Sequence, residues 1–283
     1  MMLLLLVLAQ DLAQLSQQGA QAIRERRFSD AERAYRQLLK VDPANPAWHM
    51  NLGLTFHLSS RYAEAVPELQ LFLKAKPQPG PMHLLLGLSQ LKLSRACDAI
   101  APLEKARAWN AEQTVVELAD AYYGCKRFLN AARTYESALT TKHKSDTVAR
   151  QAAHCYWEAR QYPDAQRLFA NVATTFAQDA DFNYEYGDTL ARIEGPAAGV
   201  PYLERAAATK PTLLAARGEL GKALQALGRN QEAIPHLEAA SAADPVLLLP
   251  LSRAYRAMGR VADSERVQAE YRRQVNSEIH WVR

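Results

Sequence analysis

Residues 46–79 read PAWHMNLGLTFHLSSRYAEAVPELQLFLKAKPQP, and this stretch decides the fold. Two apolar patterns of helical period flank a short polar break at Ser59-Ser60-Arg61. In the first, Leu52, Gly53 and Phe56 share one side; in the second, Ala65 and Leu69 do. Gly53 and Ala65 are small enough to let the two helices approach closely, and Leu52, Phe56 and Leu69 fill the space around that contact. Pro77 stops the second helix, because proline lacks a backbone donor and restricts the residue before it. A single hairpin of this kind cannot bury its apolar face alone and has to stack on copies of itself.

The copies are present. The small residue at Gly53 recurs as Gly19, Gly87, Ala119, Ala153, Gly187, Gly221 and Ser252. A second, independent column runs Ala31, Ala65, Ala99, Ala131, Ala165, Gly199, Ala233 and Ser264. The two stay in step through one shortened unit and a shorter last interval, and most steps are 34 residues. The repeats fall near 12–45, 46–79, 80–111, 112–145, 146–179, 180–213, 214–244 and 245–276, with an apolar segment at 1–10 and a tail at 277–283. No stretch reads as a linker between independent domains. The stiffest connector, Lys76-Pro77-Gln78-Pro79-Gly80-Pro81, lies between two repeats.

The pattern resembles the tetratricopeptide repeat family over roughly residues 12–276. Its W-x₂-L-G-x₂-Y stretch is matched by His49-x₂-Leu52-Gly53-x₂-Phe56, with further copies at Val115-x₂-Leu118-Ala119-x₂-Tyr122 and Arg217-x₂-Leu220-Gly221-x₂-Leu224. Its A-x₃-F element appears as Ala31-x₃-Tyr35, Ala131-x₃-Tyr135 and Ala165-x₃-Phe169, and its closing proline as Pro43, Pro77, Pro211 and Pro245. Tryptophan is missing from its usual slot, and Pro196 and Gly199 stand where an aromatic and an alanine are expected. Pro67, Pro102, Pro201 and Pro235 recur early in second helices, where a first-turn proline is tolerated. The resemblance implies an all-α, right-handed superhelical solenoid of about eight helix-turn-helix repeats. It also implies that the first helix of each repeat lines a concave surface holding a peptide or helix.

Composition agrees with a folded, helical chain: 48% of residues are hydrophobic, 23% are charged, and glycines number only 12. The formal charge of +4 is mild, and basic residues mix with acidic ones throughout, which argues against a nucleic-acid binder. No phosphate loop, HExxH or nucleophile elbow is present, so neither catalytic, cofactor-binding nor metal-binding residues are expected. His49, His83 and His236 sit in repeat slots beside the core and read as structural. Cys97, Cys125 and Cys155 lie in helical patterns, where cysteine packs as a small apolar residue. A bridge between Cys125 and Cys155, in neighbouring repeats, stays open.

Residues 1–9, MMLLLLVLA, are too few to span a bilayer. They read either as a secretory signal lacking its basic start or as the first turns of a helix. The first reading places the chain in the periplasm or outside the cell, the second in the cytoplasm. No transmembrane anchoring is expected.

Helical spacing also picks out, on each first helix, the face neighbouring the stripe that meets its partner helix. It carries Met50, Leu54 and His57; then Leu84, Leu88 and Leu91; then Val116, Asp120 and Tyr123. It continues with Arg150, His154 and Trp157; Tyr184 and Asp188; Lys222 and Gln225; and Arg253 and Arg256. This face is apolar at first, then aromatic and mixed in charge, then basic. The leucines are either a docking strip or covered by adjacent repeats. The expected function is a non-enzymatic scaffold or adaptor that binds a protein or peptide partner. The alternative is a regulatory or substrate-presenting subunit of a larger enzyme complex.

Overall fold

A computed structural model of the chain describes residues 2–78 and 80–281, with side chains over 10–78 and 80–274. The side chains of the apolar segment 1–9 and of the tail 277–283 therefore lie outside the described residues. The described residues form sixteen α-helices and no strand. They divide into two compact units, Met1–Lys144 and Ser145–Arg283. The first unit holds four helical pairs: α1 (Met2–Arg24) with α2 (Phe28–Val41), α3 (Pro46–Leu58) with α4 (Tyr62–Ala75), α5 (Gly80–Lys92) with α6 (Ala96–Trp109), and α7 (Ala111–Gly124) with α8 (Phe128–Ala138). The second holds α9 (Asp146–Glu158) with α10 (Tyr162–Val172), α11 (Ala180–Ile193) with α12 (Pro196–Thr209), α13 (Leu214–Ala226) with α14 (Asn230–Ser241), and α15 (Leu248–Ala257) with α16 (Val261–Trp281).

Local chemistry sets the ends of these helices. Several first helices are capped by a side chain that accepts a backbone N–H otherwise left without a partner: Asn45, Asn110, Ser145 and Asp179. The turn into the second helix is built differently. Arg26, Ser60, Ser94, Lys126 and Arg160 adopt positive φ there, in register with Gly228 and Gly259. No side chain caps α2, α4, α6, α8, α10 or α14, which follow these turns. Instead an arginine at the cap reaches an acid three residues on, as Arg61 does to Glu64, Arg95 to Asp98 and Arg229 to Glu232.

The two columns of small residues mark the line where paired helices touch. A Cβ on Gly53 would stand 2.9 Å from Leu69, and one on Gly221 would stand 2.6 Å from Leu237. In the last repeat both columns hold serine, and the buried hydroxyls of Ser252 and Ser264 bond each other at 2.9 Å. The sixth pair, α11 with α12, is the exception that explains Gly199. A Cβ there would run into the backbone carbonyl of Gly187 and stand 2.7 Å from the Ala191 methyl. The two helices meet backbone to backbone, so glycine replaces the usual alanine.

Two expectations are corrected. Pro67, Pro102, Pro201 and Pro235 lie inside their helices, beyond the first turn: α4 begins at Tyr62, α6 at Ala96, α12 at Pro196 and α14 at Asn230, five or six residues before each proline. The cysteine pairing also differs. Cys97 in α6 is bonded to Cys125 at the end of α7, with Cα atoms 4.8 Å apart, whereas Cys155 is buried in α9. The end of α7 abuts the start of α6, and that contact brings these two thiols together. No described helix is long and apolar enough to cross a membrane.

Candidate functional site

Successive first helices touch one another within each unit: α1 with α3, α3 with α5 and α5 with α7 in the first, and α9 with α11, α11 with α13 and α13 with α15 in the second. Each unit therefore has a face built from first helices, and the expected groove residues ride on it.

In the first unit, Met50, Leu54 and His57 are half-buried on α3. The His57 ring lies 2.8 Å from the Ser89 hydroxyl of α5, and that hydroxyl donates to the Leu85 carbonyl. Since Ser89 spends its proton on Leu85, His57 Nδ1–H is the donor between the two helices. Burial, with Lys92 nearby, holds the imidazole below its ordinary pKa. On α5, Leu84 is 7% exposed and belongs to the interior. Leu88 and Leu91, one and two turns on, are only half-buried. Leu85 and Leu93 pack against the core of the unit. On α7, Val116 is half-buried, while Asp120 and Tyr123 are exposed.

The second unit carries a polar and aromatic cluster. His154 Nδ1 lies 3.0 Å from Glu185 of α11, and Trp157 Nε1 donates to Asp188 at 2.8 Å. The Trp157 ring stacks on His154 at 6.0 Å and meets Tyr184 edge-on at 5.7 Å. Asp188, an expected groove residue, is 3% exposed and also takes Arg192 Nε at 2.8 Å. Arg150 pairs with Asp179 at 3.5 Å. Lys222 pairs with Glu219 at 2.5 Å, which offsets the basic character expected there, while Gln225 is half-buried. Arg253 and Arg256 are exposed. A cavity of about 280 Å³ opens beside Tyr184, floored by Leu214, Gly218 and Leu247 and edged by Glu219 and Asp244. Burial, reinforced by the Asp188, Glu219 and Glu185 carboxylates, pushes the Tyr184 phenol up.

Glu185 is the residue that sequence reading missed. It is 6% exposed, and its second carboxylate oxygen has no hydrogen-bond partner among the described residues. The available signal was its position, 31 residues after His154, the same interval that separates Trp157 from Asp188. Burial disfavours the charged His154 ring, but the Glu185 carboxylate, with Glu158 beyond it, outweighs burial and holds the imidazole above its ordinary pKa. A raised folded-state pKa stabilises the fold fully below the unfolded value of about 6.5, and that contribution is lost as pH rises through the folded value. An NMR titration is expected to place the His154 midpoint above 6.5 and to show it falling in Glu185→Gln. A midpoint at or below the ordinary value would contradict the pairing.

His49, His83 and His236 are structural. His49 Nε2 and His83 Nε2 each lie 2.8 Å from the carbonyl of the closing proline six residues earlier, Pro43 and Pro77. Asn183 fills the same slot and donates to the Ala177 carbonyl at 3.0 Å. A side-chain donor here ties the first helix to the preceding connector, in place of the usual aromatic. His236 is half-buried against its helix and held below its ordinary pKa by burial and by Arg217.

The family model described as "Tetratricopeptide repeat" matches residues 17–79, 150–213 and 219–278, more than half of the chain. The chain belongs to the tetratricopeptide repeat family. No curated protein matches it in sequence. Among solved structures it is similar to MamA, at 20% identity and a TM-score of 0.51 over 60% of this chain and 94% of that one. It is similar to YrrB, "a TPR protein with an unusual peptide-binding site", at 21% identity and a TM-score of 0.51 over 60% and 90%. It is also similar to a chain in the structure of Naa15/Naa10 bound to HypK-THB, at 15% identity and a TM-score of 0.60 over 94% and 42%. Identities this low show a shared tetratricopeptide fold and nothing finer.

Proposed function

We propose that this tetratricopeptide protein is a non-enzymatic interaction scaffold. It holds a peptide or an amphipathic helix of a partner protein against the face of its first helices. The observation that carries the reading is the half-buried pair Leu88 and Leu91 on a helix whose other apolar residues are consumed by packing. Apolar surface left open beside buried neighbours is favourable to cover. In the second unit, Trp157 and Tyr184 supply rigid aromatic area beside the cavity at Glu219, a composition suited to anchoring a partner. YrrB, a tetratricopeptide protein with an unusual peptide-binding site, is a precedent for such use of the fold.

A peptide selected by display against the full chain tests the proposal. Its binding should slow amide exchange in α5 and α7, or in α9 and α11, and should weaken only a few-fold as salt rises from about 50 to about 200 mM. A nucleic-acid contact made through phosphates would weaken on the order of a thousandfold over that range. Protection confined to second helices, or a slope that steep, would sink the reading.

A further inference from the structure

We propose that Cys97 and Cys125 form a solvent-reachable oxidation site whose disulfide clamps α7 onto α6, and that the chain works where thiols can be oxidised. Three observations carry it. The cysteine Cα atoms are 4.8 Å apart, within the range a disulfide bridges. The residues just before each cysteine prepare the approach: a Cβ added to Gly124 would stand 2.7 Å from the Ala96 methyl, so only a small pair admits the contact. Cys97 is exposed and Cys125 half-buried, so a thiol reagent can reach the bond, whereas Cys155 is 1% exposed. The corresponding slots between the earlier repeats of this unit hold Ser29 with Ser59 and Ala63 with Leu93, so the cross-link is peculiar to one junction.

Exposed disulfides are the ones that exchange most readily, and disulfides as a class persist mainly outside the reducing cytosol. The balanced step uses a disulfide of the small-thiol or dithiol-oxidoreductase class as oxidant. The Cys97 thiolate attacks one of its sulfurs and expels the first thiolate. Cys125 then attacks the mixed disulfide at Cys97 and expels the second. One intramolecular S–S bond forms, the donor's S–S bond is reduced, and the two cysteine protons end on the two departing thiols. Reduction by a dithiol runs the same exchange backwards. A second side-chain tie between these helices, Tyr122 to Glu104 at 2.6 Å, is non-covalent, so opening the bond loosens the end of α7 where Tyr123 sits. The clamp needs no ligand in the groove.

The test uses the full chain, oxidised with glutathione disulfide and then treated with dithiothreitol under native conditions. Peptide mapping should show a Cys97–Cys125 link that opens in the folded protein, with Cys155 alkylated only after unfolding. Opening it should lower Tm by about 5–10 °C and speed amide exchange in α7. Cys97→Ser and Cys125→Ser should each behave like the reduced protein and ignore dithiothreitol. Two thiols that stay reduced in glutathione disulfide, a bond reducible only after unfolding, or opening without any change in α7 exchange would each overturn the proposal.

Discussion

Gly199→Ala is expected to destabilise the protein by about 3 kcal/mol, the upper end of what overpacking usually costs. The added methyl would meet the Gly187 carbonyl and the Ala191 methyl, and neither can rotate away. Relief requires α11 and α12 to move apart, which opens contacts around Leu203 and Leu190, both buried. Gly53→Ala is the informative comparison. Its methyl meets mainly the Leu69 side chain at 2.9 Å, which can shift, so a loss of about 1–2 kcal/mol is expected. Urea melts of the two variants check the order. Amide exchange should place the Gly199→Ala damage in α11 and α12 and leave α3 and α4 unchanged. Equal losses would mean that the sixth pair is no tighter than the second.

Leu88→Glu is expected to weaken ligand binding about 30-fold or more, the effect of losing an interface anchor worth at least about 2 kcal/mol. A carboxylate there would have to be desolvated under an apolar ligand without a partner. The side chain is half-buried in the unliganded chain, so helicity should be retained. Leu71→Glu is the control: Leu71 is 48% exposed on α4, a second helix, and its replacement should leave affinity within about twofold. Calorimetry with a selected peptide reads both variants.

The repeat was open to sequence reading because its determinants are local. Gly53 and Ala65 contact each other's helices within one hairpin, and the same chemistry recurs eight times. The places where reading stopped short depend on contacts between repeats. Asp188 reads as a solvated groove charge, yet Trp157 and Arg192 bury it. Leu84 and Leu88 share a face by spacing, but only Leu84 is sealed, because one helical turn shifts a side chain from the interior toward the rim. Reading by repeats leaves a Cys125–Cys155 bridge open, while the actual partner of Cys125, Cys97, is placed by the end of α7 abutting the start of α6. Gly199 looks like a weak repeat until the Gly187 carbonyl is seen against it. The slot filled by His49, His83 and Asn183 looks like a lost tryptophan, and it is a hydrogen bond to the preceding connector.

The central claim is that partners are held on the face of first helices. A photo-reactive amino acid placed at Leu88, and separately at Leu71, in cells that make the protein tests it most directly. The account predicts a discrete cross-linked protein from position 88 and none from position 71. Adducts from position 71 alone, or the same adducts from both, would contradict it.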